Sequence, residues 1–263
     1  MPEPTSVVFS ADDFGLTESV NEAVEIAHRD GRLAQASLMV AGPAAADAVA
    51  RARRLPHLKV GLHLVLVEGD SMLGHARLPH LTTPDGRFGS DQIMRGFRYF
   101  FSPSARRELA AEIRAQFEAY RATGLVLHHA DSHKHMHLHP TVAGLMIAAG
   151  RDFALSRIRV PAEPPAVLAT CGTLPSLGDR ALYAWSRVLR RQVRRAGLDC
   201  TDHVFGIKWS GHMTAERVQT LLAHLPPGTS EIYFHPATRQ DAMLAALMPG
   251  YRHTEELRAL LMS

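Results

Sequence analysis

The chain has 263 residues, 46% hydrophobic and 21% charged, a balance ordinary for a globular protein and a length suited to a single (β/α) barrel. A net charge of only +3, with no basic tail, argues against nucleic acid as a partner. No apolar stretch reaches the roughly 18 residues of a membrane span, the start of the chain does not read as a secretory signal, and the two cysteines, Cys171 and Cys200, form no metal knuckle, so a cytoplasmic setting is expected.

Short β-rich runs alternate with longer helical patterns, which predicts an α/β chain with a parallel sheet and crossover helices. Val7–Ala11 is the first expected strand. A helix follows from Thr17 or Ser19, where Ser19 and Glu22 have capping-box spacing, and Gly31 marks its end. Gln35–Ala41 reads as the second strand, Ala44–Arg54 as a helix and Lys59–Val67 as the third strand, before a Pro- and Gly-rich loop from Glu68 to Gly89. Residues 91–123 look helical, most clearly Ala105–Ala122, where Leu109, Ile113, Phe117 and Tyr120 recur at helical spacing. Leu125–His129, Arg157–Val160, His203–Trp209 and Glu231–Phe234 complete the strands. The expected fold is one distorted (β/α) barrel of about seven strands, a single domain over the whole chain.

Four polar clusters fall where strands end: Asp12-Asp13, His63, Asp131 to His139, and His235-Pro236. In a barrel those ends share one face, and that face carries the active site. Adjacent carboxylates at Asp12 and Asp13 repel unless a cation or donor lies between them. One can ligate a metal while the other takes a proton from water; a helix cap is the structural alternative. His63 interrupts the apolar run Gly61–Leu66, either as a packed core imidazole or as a ligand. Read as extended chain, His133, His135, His137 and His139 project to one side. They cannot all hold one ion, so most are expected to bind substrate, orient ligands or move protons. His235 ends the last strand, with Pro236 stiffening the turn. Arg159 and Glu163 are weaker substrate-binding candidates.

An Asp, two His and a further carboxylate suit a divalent metal with open positions for water and substrate. No Gly-x-Ser-x-Gly elbow, P-loop or dinucleotide fingerprint is present. A glycosidase would need carboxylates on opposite sides of the bond, whereas one adjacent pair is found.

Taken together, Ala11-Asp12-Asp13-Phe14-Gly15, Gly61-Leu62-His63-Leu64, Asp131-Ser132-His133-Lys134-His135-Met136-His137 and Phe234-His235-Pro236 resemble the YdjC-like carbohydrate deacetylases. Ser37 to Ala46, His133 to Thr141 and Val160 to Pro165 resemble its hopanoid-biosynthesis branch (HpnK) most, although that branch has Asn-Ala where Asp131-Ser132 stands here, a pair closer to the oligosaccharide enzymes. The resemblance implies a metal held by Asp13, His63 and His133, with Asp12 as general base. It also implies an N-acetylglucosamine-bearing substrate, a hopanoid glycolipid for that branch and a soluble chito-oligosaccharide for its relatives. His235 is the candidate acid for the leaving amine, and His135, His137, Arg159 and Glu163 are candidate substrate contacts. Two imidazoles favour zinc or another first-row transition metal, and the resemblance adds magnesium. A non-catalytic metal- or sugar-binding protein is the alternative of another class, against which the second carboxylate, Asp12, stands.

Two segments point to a membrane surface. In Leu182–Ala196, closed by Gly197, Arg187, Arg190, Arg191, Arg194 and Arg195 share one side of a helix, with Leu182, Trp185, Leu189 and Val193 largely on another. In Met94–Phe101, Phe97, Tyr99, Phe100 and Phe101 crowd beside Arg95 and Arg98. Peripheral docking at the inner face of an anionic membrane is the corresponding expectation; the alternative is that both are ordinary outer-layer elements, apolar side to the barrel and arginines to water.

Overall fold

The computed structural model describes residues 5–262. Its strands are β1 (Thr5–Phe14), β2 (Leu33–Leu38), β3 (Lys59–Leu64), the short pair β4 (Gly69–Asp70) and β5 (Arg87–Phe88), β6 (Ala130–Ser132), β7 (His203–Phe205) and β8 (Gly228–Phe234). Six of them form a parallel sheet in the order β6-β3-β2-β1-β8-β7, and β4 with β5 make an antiparallel hairpin inside the long loop after β3. The sheet curls as a distorted barrel, the expected fold class.

The distortion lies between β6 and β7. Arg157–Val160, expected to supply a strand, and the two residues after it bond to their neighbours only through single bridges: Ala130 N to Arg157 O, Arg159 N to Ala130 O, Ile158 N to Asp199 O and Val204 N to Ala162 O. Pro161 and Pro164 remove amide donors here, so a ladder cannot continue. Leu125–His129 is likewise displaced as a strand. It approaches β3 through His128 N to Val60 O and Leu62 N to His129 O, and regular pairing begins at Ala130.

The helices are α1 (Glu18–Asp30), α2 (Ala45–Ala52), α3 (Gln92–Phe101), α4 (Pro103–Ala122), α5 (Pro140–Gly150), α6 (Pro165–Thr170), α7 (Leu177–Arg195), α8 (Ala215–Leu222), α9 (Ala242–Leu247) and α10 (His253–Leu261). α1 is capped by Thr17, whose hydroxyl oxygen accepts from Val20 N. The Ser19–Glu22 capping box does not form, because Ser19 lies inside the first turn and donates its hydroxyl to Asp241. The helical stretch 91–123 is two helices, broken where Ser102 caps α4 and Pro103 takes its first position. The stripe Leu109, Ile113, Phe117 and Tyr120 is buried as expected, packing α4 on the barrel, and Tyr120 donates its hydroxyl to Val60 O. Each such side chain contributes roughly 1.5–3 kcal/mol by leaving water.

α7 begins earlier than its basic stretch suggested, at a capping box formed by Ser176 and Asp179, and ends before Gly197, whose φ is +77°. Arg187, Arg191, Arg194 and Arg195 are exposed on it as expected, Arg194 lying 3.6 Å from the Asp202 carboxylate, whereas Arg190 is partly buried and donates to the Asp202 carbonyl. Among the described residues no helix is long and apolar enough to cross a membrane.

Candidate metal centre and active site

Strand geometry alternates side chains, so Asp12 and Asp13 should point to opposite faces. They do not, because β1 carries a bulge: Ala11 pairs with Ala36 and Phe14 with Leu38, which leaves one extra residue in β1. Asp13 absorbs it in the left-handed region, with φ of +62°. Both carboxylates are thereby buried on the inner side, Asp12 at 2% and Asp13 at 1% exposure.

Asp13 meets two imidazoles. His133 Nδ1 is 3.0 Å from its Oδ1 and His63 Nε2 is 3.4 Å from the same atom. Its other oxygen, Oδ2, is buried with no protein partner. One ligand atom from each of the three residues fits within a 4.8 Å span. A buried carboxylate with one oxygen facing two imidazoles and the other left without a partner is a fit for a divalent cation. The second grouping at this spacing, Asp12 with His63 and Asp131, already has a cation of its own in Arg159. Burial alone would raise the Asp13 carboxyl, but the adjoining imidazoles hold it well below the usual range. Burial would lower His63, yet Asp131 and Asp13 outweigh that and raise it to about 10.

His63 is oriented from behind. β3 and β6 place it opposite Asp131, whose Oδ1 lies 2.7 Å from His63 Nδ1. A carboxylate on the far nitrogen fixes the ring and raises its basicity, as in carboxylate–histidine–metal arrangements. Ser37 donates to the other oxygen of Asp131 at 2.9 Å and also touches His129 Nε2 at 3.0 Å. Gly61, two residues before His63, is what admits that ring: a Cβ there would come within 2.5 Å of the His129 imidazole.

Arg159 ties the floor together. Its guanidinium donates to both oxygens of Asp12 at 2.7 and 2.8 Å, to Asp131 at 2.6 Å, to Glu231 at 2.7 Å and to Ser10 at 3.2 Å. Every donor direction is taken, so Arg159 positions Asp12 and has nothing left for a substrate. Burial pushes Asp12 up to about 6 against the pull of Arg159.

The histidine cluster is not extended. His133–Leu138 forms a 3-10 turn, with Lys134 and His135 at φ of +51° and +53°. The four rings therefore scatter. His133 faces Asp13. His135 Nε2 meets the Tyr233 hydroxyl at 3.0 Å, and burial keeps this ring neutral. His137, fully buried, spends Nδ1 on Ser132 and Nε2 on the Arg159 carbonyl, so it locks the turn instead of contacting a substrate. His139 packs edge-on against Tyr99 and Phe100. Glu163 sits apart and accepts the backbone N–H groups of Gly206, Ile207 and Lys208, which anchors the loop after β7. His235 lies at the end of β8, close enough to Asp13 for their charges to interact. Its Nδ1 is buried without a partner, and burial pushes the ring down to about 3. A narrow cleft opens beside His133, walled by Leu16, Met39, Val65, Met243 and Leu247 and edged by Glu68, Asp70 and Arg87.

Residues 6–263 match the YdjC-like protein family. The chain belongs to that family. Among YdjC-like relatives, a carbohydrate deacetylase of Brevibacillus brevis is 35% identical over 97% of this chain and 90% of its own length. Carbohydrate deacetylases of Vibrio cholerae and Vibrio vulnificus are 39% and 42% identical over segments that span 56% of either chain. A solved structure from Enterococcus faecalis V583, provisionally described as a cellobiose-phosphate cleavage protein, superposes with a TM-score of 0.74 at 22% identity, covering 98% of this chain and 91% of that one. That likeness supports the barrel. The relatives agree with the enzyme class expected from the sequence, a hydrolase acting on amides.

Sequence reading missed the roles of Asp131, Glu231 and Ser37. The available signal was charge or hydroxyl at inward positions of apolar strands: Glu231 shares β8's inner face with Tyr233 and His235.

Proposed function

We propose that this YdjC-like chain is a metal-dependent N-deacetylase that removes acetyl from an N-acetylglucosamine unit, carried on a hopanoid lipid. The observation that carries the reading is the Asp13 carboxylate, met at Oδ1 by His63 and His133 and left without a partner at its buried Oδ2, with a second carboxylate, Asp12, beside it and held by Arg159. A divalent cation held by Asp13, His63 and His133 would supply Lewis acidity toward the acetamide carbonyl and the attacking water. Asp12 accepts the proton of that water, with Arg159 fixing its orientation. A base fixed in this way contributes about 10²–10⁴-fold. The leaving amine needs one proton, and the proton that Asp12 takes from water balances it; His235, kept neutral at rest because burial disfavours its charged form, relays that proton to the more basic nitrogen. A protein that only binds metal or sugar has no use for a carboxylate held beside, yet outside, the ligand set.

The Asp131-Ser132 pair favours a second reading, a deacetylase of soluble chito-oligosaccharides, which the names of the relatives also support. Acetate release decides between them. The protein is assayed on an N-acetylglucosaminyl hopanoid and on a chitin disaccharide, each with and without chelator. Turnover of the glycolipid alone, abolished by chelator, is expected; equal turnover in chelator would overturn the metal reading, and turnover of the disaccharide alone would replace the lipid substrate.

A further inference from the structure

α3 is a ten-residue helix that buries only Tyr99. Ile93, Met94, Phe97, Phe100 and Phe101 stand in solvent, with Ile93 at 73% and Phe101 at 69% exposure. Phe97 and Phe101 stack at 6.1 Å and Phe100 meets Phe101 at 5.0 Å, so the exposed rings form one patch. Scattered apolar side chains on a surface are ordinary, but five large ones on a single helix are not. The helix is held with that side outward: Tyr99 donates its hydroxyl to Leu66 O, Arg95 to Leu81 O and Gly89 O, and Arg98 to His80 O.

α7 shares this face. Gln92 of α3 donates to the Lys134 carbonyl, the Phe100 ring packs on His139, and Trp185 of α7 donates its indole N–H to Leu138 O at 2.8 Å. Both helices thus stand on the turn that begins at His133. Trp185 and Val188 are 44% and 47% exposed beside the patch. Arg106 and Arg107 stand in the first turn of α4, which follows Phe101 directly, and α7 carries Arg187 and Arg191 within a turn of Trp185 and Val188, with Arg195 a turn further on; all five are exposed and none is in an ion pair among the described residues.

We propose that this face docks on an anionic lipid bilayer, with the α3 rings inserted below the headgroups and the five arginines against them. Charge selects the occupant. A second copy meeting the same face across a two-fold axis would lay one set of unpaired arginines over a surface of the same charge, whereas acidic headgroups neutralise them. Docking there brings the His133 turn toward the bilayer, where the sugar of a membrane lipid lies. The inference rests on the lipid-substrate reading for that purpose only.

Sedimentation with vesicles tests it. The full chain is mixed with phosphatidylglycerol–phosphatidylcholine vesicles, or with phosphatidylcholine alone, at about 0.05 M and about 0.5 M salt. Two double variants, Phe97→Ser with Phe101→Ser and Arg187→Glu with Arg191→Glu, run beside it, with circular dichroism as the folding control. Pelleting with the anionic vesicles at low salt, release at high salt, and on the order of tenfold weaker partition for either variant are expected. Wild-type protein left in the supernatant with anionic vesicles at low salt overturns the proposal, as does unchanged partition of both variants. A dimer in analytical ultracentrifugation that the Phe97→Ser, Phe101→Ser chain loses reassigns the face to a second copy. Absence of deacetylase activity would sink the functional reading and leave the vesicle result standing.

Discussion

Replacing Arg159 with Met keeps much of its volume and removes the one cation that Asp12, Asp131 and Glu231 share. All four residues are at most 2% exposed, so no water can substitute for the guanidinium. Removing one partner of a buried ion pair costs about 3–5 kcal/mol, because the other is left uncompensated. In a chain of this size that lowers the melting temperature by roughly 6–20 °C. The pH dependence changes too. In the native fold burial would raise Asp131 and Glu231, but Arg159 outweighs it and holds both below their ordinary values. Their contribution is therefore present above the usual carboxylate range and lost as pH falls. In Arg159→Met the largest lowering influence is gone and burial is opposed only by His63 and His129 at Asp131 and by His129 and Ser10 at Glu231, so both carboxyls rise and the loss of stability relative to wild type grows as pH rises. Melting followed by circular dichroism from pH 5 to pH 8 should show a deficit that widens with pH and shrinks when Glu231→Gln is added. A deficit under about 3 °C at pH 8, or one independent of pH, would refute the claim that Arg159 compensates these three carboxylates.

The remaining expectations concern the centre itself. Asp13→Ala, His63→Ala and His133→Ala should each lose stoichiometric divalent cation by elemental analysis, and full occupancy in any of them removes that residue from the ligand set. Asp12→Asn should retain the cation yet lose about 10²–10⁴-fold in kcat; near-native turnover would make Asp12 structural. Cation binding should release a proton, since His63, raised to about 10 between Asp131 and Asp13, must lose its Nε2 proton to become a ligand. Calorimetric titration in buffers of different ionisation enthalpy measures this, and identical heats in all buffers would contradict it.

Much of this centre was legible before any coordinates, because it depends on where strands end. Asp13, His63 and His133 terminate or follow β1, β3 and β6, and parallel strands in a curled sheet carry such ends to one rim. The histidine run was misread since period-2 logic holds only for extended chain, and nothing in Lys134 or His135 announces a left-handed backbone. Arg159 looked like a solvated strand end for a similar reason: its three carboxylate partners lie 147, 72 and 28 residues away, pairings that alternation within one segment cannot reveal. The strand count exceeded the six of the sheet at Arg157–Val160, where apolar patterning is strand-like but the following prolines deny the ladder its donors.

The bulge at Asp13 also limits how this centre can be re-engineered. With φ of +62°, the position suits Gly, Asn, Asp or His, and a β-branched or bulky residue there would be a steric outlier. Exchanging the carboxylate for a cysteine thiolate, to draw the site toward a softer metal, would therefore carry a conformational penalty on the order of 1–3 kcal/mol before any coordination chemistry is counted. Asparagine fits the backbone but brings no charge. His63 and His133, with φ in the ordinary range, carry no such restriction, so ligand swapping aimed at metal selectivity has two open positions and one that the main chain narrows.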